Sequence, residues 1–274
     1  MLAINEWLAN STSQLSEITI PSARLDAEII LAFALGKDRT YLHAYPDQTV
    51  DHEALEIADK SLNLRLERTP IAYIIGRKEF YGRQFTVTPA TLIPRPESED
   101  IITILKEILL ATTYHLPSAR LVDVGTGSGC LGITAKLEFP NLGVTLIDIS
   151  DEALKIAAKN AANLAADVNI IHSNLLKEYA VKPDIIIANL PYVDRNWDRS
   201  PETDYEPESA LFADDNGQSL IKELISEAKD LLNMGAHLII EADPDQHQSL
   251  IEYAETNNFT KTQQLNYVLD FTKG

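Results

Sequence analysis

The stretch Leu121-Val-Asp123-Val-Gly125-Thr-Gly127-Ser-Gly129-Cys130 decides the fold. A short apolar run ends in an acid and turns through three alternating glycines. It then enters Leu131–Leu137, whose pattern suits a helix. A buried strand, a glycine turn and a helix form the opening unit of a nucleotide-binding α/β sheet. Glycines there permit the tight turn and let the backbone approach a ligand closely. The spacing sets aside two other glycine loops. A dinucleotide fingerprint wants glycine at position 130, where Cys130 stands, and no Gly-Lys-Ser/Thr follows as in a P-loop.

Downstream, strands and helices alternate. Val144–Ile147 reads as a second strand, with Asp148 at its end, 23 residues after Gly125. An acid at that place can accept hydrogen bonds from both hydroxyls of a ribose. Glu152–Leu164 is an alanine-rich helix, N-capped by Ser150, with acids in its first turn. Val168–Ile171, Ile185–Ala188 and Ala236–Ile240 are further strands, and Tyr267–Phe271 is a last short one. Gln218–Leu232 and Gln246–Thr256 are helices. Repeated βα units predict a parallel sheet covered by helices on both faces. Upstream the pattern is helical. Leu25, Ile29, Leu31, Ala32 and Leu35 recur at helical spacing with Gly36 as a stop, and Ala54–Leu66 repeats the pattern. Pro70–Ile75 and Phe80–Val87 are β-prone, with Tyr81–Gly82 as a turn signal, so a β-hairpin linker is expected between Pro70 and Ala90. The expected organisation is a helical domain over 1–69, the linker over 70–90 and an α/β domain over 91–274.

Composition narrows the partners. With 41 acids against 23 bases in 274 residues, the formal charge is −18. Such a chain is repelled by phosphate backbones, which argues against a general nucleic-acid binder. The one cysteine, Cys130, excludes an intrachain disulfide and a cysteine-rich zinc site, and His43, His52, His115, His172, His237 and His247 show no metal-binding spacing. No metal is therefore expected. The apolar run around Ile101–Leu110 is short and carries charge, and Met1–Leu8 lacks signal-peptide features, so a soluble cytoplasmic protein without membrane association is expected. The charge is uneven. Lys60–Arg83 holds six bases and two acids, while Asp194–Asp215 holds eight acids and two bases.

The third chemical motif is Asn189-Leu190-Pro191-Tyr192, which directly follows the apolar Ile185–Ala188. A strand there delivers the turn to the carboxyl edge of the sheet, where ligands of such folds sit. An asparagine side chain and a nearby backbone carbonyl can accept both protons of an NH₂ group, and a tyrosine face can stack on a flat amide or base. The set suits methylation of a planar nitrogen, and the G-x-G-x-G loop after an acidic strand end is of the kind that binds S-adenosylmethionine.

These motifs, in this order, resemble class I methyltransferases with an N-P-P-Y-type signature. Leu92-Ile93-Pro94-Arg95-Pro96-Glu97-Ser98-Glu99 is similar to the I-P-R-P-E-T-E stretch of the HemK/PrmC family, the release factor glutamine methyltransferases. Arg24-Leu-Asp26-Ala27-Glu28, Pro70-Ile-Ala-Tyr73-Ile-Ile-Gly76 with Glu79-Phe80, Tyr205-Glu206-Pro207 and Asp215-Asn216-Gly217 extend the resemblance over about residues 20 to 245. It implies a Rossmann-like α/β catalytic domain behind a small helical N-terminal domain and a β-hairpin. It further implies methyl transfer from S-adenosylmethionine to the glutamine amide of the Gly-Gly-Gln loop of peptide chain release factors, with no direct nucleic-acid contact. The cofactor would be held by Arg95, Gly125, Thr126, Gly127, Ser128, Gly129, Asp148, Asn174, Leu175 and Asn189. The substrate would meet Asn189, Leu190, Pro191 and Tyr192, with Asn189 and Tyr192 catalytic.

Three features depart from the family pattern. Leu190 replaces the first proline of N-P-P-Y, Asn174 stands where an aspartate is usual, and no arginine follows Arg199. N-L-P-Y is also the signature of rRNA adenine dimethyltransferases, but those carry their glycine loop near the N-terminus and their helical domain last. A glutamine of a ribosomal protein is the sibling alternative. The acidic stretch after Tyr192 is expected to border the substrate mouth and to attract a basic peptide loop.

Overall fold

The computed structural model describes residues 2–111 and 119–274, so His115 lies outside the described residues. The chain divides into two compact units, Met1–Gly76 with Ser200–Tyr205, and Arg77–Arg199 with Glu206–Gly274.

The first unit is helical: α1 (Ile4–Glu17), α2 (Ala23–Leu35), α3 (Arg39–Ala44), α4 (His52–Leu66) and α5 (Ile71–Ile75). Trp7, Leu15, Ile30, Leu31 and Leu62 pack in its core. The buried stripe of α2 runs through Ala27, Ile30 and Leu31, whereas Leu25 is 41 % exposed. Pro70–Ile75 is not a strand. Pro70 caps α5, Tyr73 and Ile74 donate backbone N–H groups to its carbonyl, and Gly76 closes the turn in the left-handed region. Local hydrogen bonding between a proline start and a glycine stop overrides the β-propensity of the isoleucines. This unit therefore runs past residue 69 to Gly76.

Buried charges stitch the helices together. Arg65 Nε on α4 donates to Asp26 Oδ2 on α2 at 2.7 Å, with both side chains buried. Glu28 accepts from Arg24 and Arg39, each at 2.7 Å. Burial raises the Glu28 pKa, but the hydrogen bonds from Arg39 and Arg24 hold it below the usual glutamate value. Removing one partner of a buried pair costs about 3–5 kcal/mol. Asp26 and Glu28, both in the Arg24–Glu28 motif, are thus structural charges.

The second unit opens with the hairpin, β1 (Arg77–Phe80) and β2 (Arg83–Thr86), paired antiparallel. Tyr81 (φ 50) and Gly82 (φ 72) both lie at positive φ, the geometry of a two-residue hairpin turn. The main sheet has seven strands: β3 (Arg120–Val124), β4 (Gly143–Asp148), β5 (Asn169–His172), β6 (Ile185–Ala188), β7 (His237–Glu241), β8 (Phe259–Leu265) and β9 (Val268–Lys273). Their order is β5-β4-β3-β6-β7-β9-β8. Strands β3 to β7 run parallel, and β9 is antiparallel to both of its neighbours. Strand β8 has no counterpart in the sequence-based expectation. It is a polar edge strand, Thr-Lys-Thr-Gln-Gln between Phe259 and Leu265, and lacks the apolar run that marks the buried strands.

Two apolar layers clothe the sheet. On β6, Ile185 and Ile187 belong to the layer with Ile101, Leu105 and Ile133 from α6 (Glu99–Ala111) and α7 (Cys130–Glu138), and Ala157 from α8 (Asp151–Asn163). Ile186 and Ala188 belong to the other, with Leu224 and Ile225 of α10 (Ser219–Leu231) and Leu250 of α11 (His247–Thr256). The alternation follows from the two-residue period of a strand. A short helix, α9 (Glu208–Leu211), precedes α10. The chain leaves β3 toward β4 on one side and returns through β6 on the other. Their carboxyl ends flank the crevice where a sheet of this topology takes its ligand.

Candidate active site

The glycine loop is held from both neighbouring strands. Thr126 N–H donates to the Ile147 carbonyl at 2.9 Å, and Gly127 N–H donates to Asp148 Oδ2 at 2.8 Å. Asp148 Oδ1 accepts from Ser150 N–H at 2.9 Å, so this acid both ties the loop and turns the chain into α8. Burial raises the Asp148 pKa against the lowering effect of these backbone donors. At the end of β3, Asp123 is buried and accepts from Thr126 Oγ1 at 2.5 Å and from Gly132 N–H at 2.9 Å. Burial pushes its pKa up to about 6, opposed by those two hydrogen bonds. Its Oδ1 is buried without a hydrogen-bond partner among the described residues. Burial and the Asp123 charge push the Cys130 thiol up to about 12, so it stays protonated and is no nucleophile.

The loop needs glycine at position 125 for a close approach. A Cβ on Gly125 (φ 71) would lie 2.7 Å from Leu190 Cδ2. A Cβ on Gly127 would meet nothing within 4 Å, which leaves the centre of the loop open to a ligand. Gly129 serves packing: it precedes α7, and its Cβ would fall 2.7 Å from Ile133 Cδ1.

These elements wall a cavity of about 340 Å³. Its size lies in the range of small-molecule sites. Gly125, Thr126, Gly127, Ser128 and Asp148 line it from the β3 and β4 ends. Asn174 and Leu175 line it after β5, Asn189, Leu190 and Pro191 after β6, and Arg95 from the segment before α6. Gly129 and Tyr192 are not in the wall. Arg95 donates to Glu206, which also accepts from Ile93 N–H at 3.1 Å, so this acid fastens the segment before α6 at two points.

The turn after β6 is fastened by groups far away in sequence. Asn189 Nδ2 donates to Ser98 Oγ at 2.9 Å. The Tyr192 hydroxyl donates to Glu241 Oε1 at 3.0 Å, and its ring packs on the α10–α11 core layer. Burial and the Glu241 charge raise the Tyr192 pKa, so the phenol stays protonated. Burial also raises the Glu241 pKa, against the lowering effect of Ser98, Tyr192 and Asn189. Gln246 Nε2 donates to the carbonyls of Tyr192 at 2.8 Å and Asn216 at 2.7 Å. Gly217 (φ 81) fits beneath: a Cβ there would lie 2.0 Å from the Tyr192 oxygen. Asp123, Ser98, Glu241, Gln246 and Gly217 thus support the site. Ser98 and Gly217 stand inside family-like stretches, which was the available signal; nothing local marked Glu241 or Gln246.

The acidic stretch is not an open field of charge. Glu202, on the segment that groups with the helical unit, pairs with Arg65 at 3.0 Å and Arg68 at 3.4 Å. The Tyr205 hydroxyl donates to the Glu67 carbonyl. Glu208 pairs with Arg195, and Asp215 with Lys222. The basic and acidic runs seen in the sequence partly neutralise each other within the chain.

A 3-2-1-4-5-7-6 order of the seven strands, a glycine loop after the first strand, an acid ending the second, and an Asn-X-Pro-Tyr turn after the fourth define a class I S-adenosylmethionine-dependent methyltransferase. The comparisons agree. Residues 6–76 match the profile of the PrmC N-terminal domain and residues 98–201 that of the methyltransferase small domain. The chain is 37 % identical over 255 residues to the release factor glutamine methyltransferase of Koribacter versatilis, covering 89 % of each. It is 35 % identical to that of Francisella tularensis, over 94 % of this chain and 91 % of the relative. Among solved structures, a methyltransferase from Pyrococcus furiosus superposes with a TM-score of 0.52 at 20 % identity, over 79 % of this chain and 99 % of the other. A T. thermophilus 16S rRNA methyltransferase solved with AdoMet and guanosine gives 0.53 at 16 % identity, over 72 % and 50 %. The chain belongs to the release factor glutamine methyltransferase family, and its cofactor is S-adenosylmethionine. Among the described residues no helix is long and apolar enough to cross a membrane, and no cluster of His, Cys, Asp and Glu is arranged to hold a metal.

Proposed function

We infer that this enzyme methylates the side-chain amide nitrogen of the glutamine in the Gly-Gly-Gln loop of peptide chain release factors. The observation that carries this is Asn189. Its Nδ2 is engaged by Ser98, so Oδ1 and the Leu190 carbonyl remain as acceptors at the cavity wall. An amide NH₂ has two protons to donate and matches that pair. When bound, S-adenosylmethionine supplies a methyl group on a positively charged sulfur. The open centre of the glycine loop and the Asp148 carboxylate suit its nucleoside, and Asn174 and Leu175 suit its base.

The protein's task is alignment. An amide nitrogen is a poor nucleophile, and holding it in line at contact distance removes much of the entropic barrier. As the nitrogen gains positive charge, the Asn189 and Leu190 oxygens bind it more tightly than in the ground state. No strong base is required, since the proton departs after the methyl arrives. Tyr192 supports this turn from behind through Glu241, and its backbone is pinned by Gln246. The helical unit at the N-terminus supports a release factor over an rRNA adenine as substrate, because it precedes the catalytic unit and matches the PrmC profile. The charge of −18 supports a protein partner without direct nucleic-acid contact, and the reading carries a cytoplasmic location with it.

Mass spectrometry of release factors incubated with enzyme and S-adenosylmethionine tests this. The expected result is a single added methyl on the Gly-Gly-Gln peptide. Efficient methylation of naked rRNA or of a ribosomal-protein glutamine, with none on a release factor, would reject it.

A further inference from the structure

Asn189 can present either end of its amide to the cavity, because oxygen and NH₂ have nearly the same shape. Only the oxygen can accept from a substrate amide. In the structure Nδ2 is turned inward, donating to Ser98 Oγ at 2.9 Å. The third member of this group is Glu241, at the carboxyl end of β7 and 1 % exposed. Its Oε1 accepts from the Tyr192 hydroxyl at 3.0 Å, while Oε2 is buried without a hydrogen-bond partner among the described residues. Burial raises the pKa of this carboxyl; Ser98, Tyr192 and Asn189 act to lower it, and the Glu97 charge to raise it. A carboxylate carries acceptors only, so groups bearing hydrogen turn toward it. A Ser98 hydroxyl hydrogen turned toward the carboxylate would leave the oxygen lone pairs for Asn189 Nδ2, which donates to it at 2.9 Å. The Asn189 oxygen is left on the cavity side.

We propose that Ser98 and Glu241 are positioning residues for methyl transfer, which together hold the Asn189 amide with its oxygen toward the substrate nitrogen. Glu241 also fixes Tyr192 through the phenol, so one buried acid orients both polar side chains of the Asn189–Tyr192 turn. Neither Ser98 nor Glu241 touches the reacting atoms in this scheme. The inference rests on the acceptor role of Asn189 given above.

The test is steady-state methylation of a release factor by Ser98→Val, Ser98→Thr, Glu241→Gln and Asn189→Ala, with S-adenosylhomocysteine affinity and melting temperature measured on each. Valine removes the hydroxyl and keeps the bulk of threonine. Glutamine keeps an acceptor for Tyr192 but puts NH₂ where Oε2 stood, which favours the flipped Asn189. Ser98→Val and Glu241→Gln are expected to lower kcat about tenfold or more, the scale of one lost hydrogen bond. KM and S-adenosylhomocysteine affinity should stay within about threefold, and Ser98→Thr should keep kcat within about threefold. Wild-type kcat in Ser98→Val, or a loss in Glu241→Gln matched by an equal loss of S-adenosylhomocysteine affinity, overturns the positioning role. Wild-type kcat in Asn189→Ala instead overturns the acceptor role itself.

Discussion

Two turns meet at the cavity, and they are built on different principles. The turn after β3 is a backbone device. Its glycines make the bend and leave room, and the acids that hold it, Asp123 and Asp148, end the two strands it joins. Nearly everything it needs lies between residues 123 and 148. The turn after β6 is a side-chain device assembled from remote parts: Ser98 before α6, Gly217 before α10, Glu241 at the end of β7 and Gln246 before α11. Where a ligand is bound by its general shape, a local loop suffices. Where one amide must face one way, neighbours from several elements have to agree.

The contrast breaks most visibly at Gly217. Gly217→Ala places a Cβ 2.0 Å from the Tyr192 oxygen and 2.6 Å from Gln246 Nε2, at φ 81. Strain and overpacking together should cost about 2–5 kcal/mol. Denaturant unfolding should show the loss, and activity should fall although residue 217 is far in sequence from either motif. A stable, active Gly217→Ala enzyme would mean that the β6 turn tolerates its supports being moved.

Asn189→Ala separates the two turns functionally. Turnover should fall about 10²-fold, as when one transition-state hydrogen-bonding group is lost, while S-adenosylhomocysteine affinity changes little. Asp148→Ala should do the converse on the cofactor side, weakening S-adenosylhomocysteine by about 1.5–3 kcal/mol in calorimetry. Some of that loss will reflect the Gly127 and Ser150 N–H groups it now leaves unpaired. Equal effects of both variants on cofactor affinity would erase the division of labour.

The smallest effect concerns the helical unit. Burial would raise the Glu202 pKa, but the Ser200 hydroxyl, backbone hydrogen bonding and Arg65 bring it down to about 2 from the ordinary 4.5. A depressed acid stabilises the fold above its unfolded pKa and loses that contribution as pH falls through the folded one. Glu202→Gln should therefore cost about 1 kcal/mol at neutral pH, allowing for solvent screening. The gap from wild type in denaturant midpoint should close as pH drops from 4.5 toward 2. A gap that persists at low pH would mean Glu202 acts by packing rather than charge.

The sequence by itself determined six of the seven strands, the crevice and the glycine-loop side of the cavity wall. Apolar runs of four to six residues, capped helices and the glycine loop are local signals, and local sterics and burial enforce them. Ser150 caps α8, accepting from Ala153 N–H at 3.2 Å, as its position predicts. Only the tertiary structure decided three other matters. Pro70–Ile75 became a helix because its end residues satisfied the backbone locally, against side-chain propensity. Edge strand β8 formed because β9 offered it a free ladder, a partner that no run of residues 259–265 announces. Glu202 of the acidic stretch met Arg65 of α4 and Arg68 just after it, so this acid serves the fold. The fastening of the Asn189–Tyr192 turn belongs with these: Asn189 Nδ2 donates to Ser98, 91 residues before it, and the Tyr192 hydroxyl to Glu241, 49 residues after it, and hydrogen bonds over such separations exist only in the folded chain.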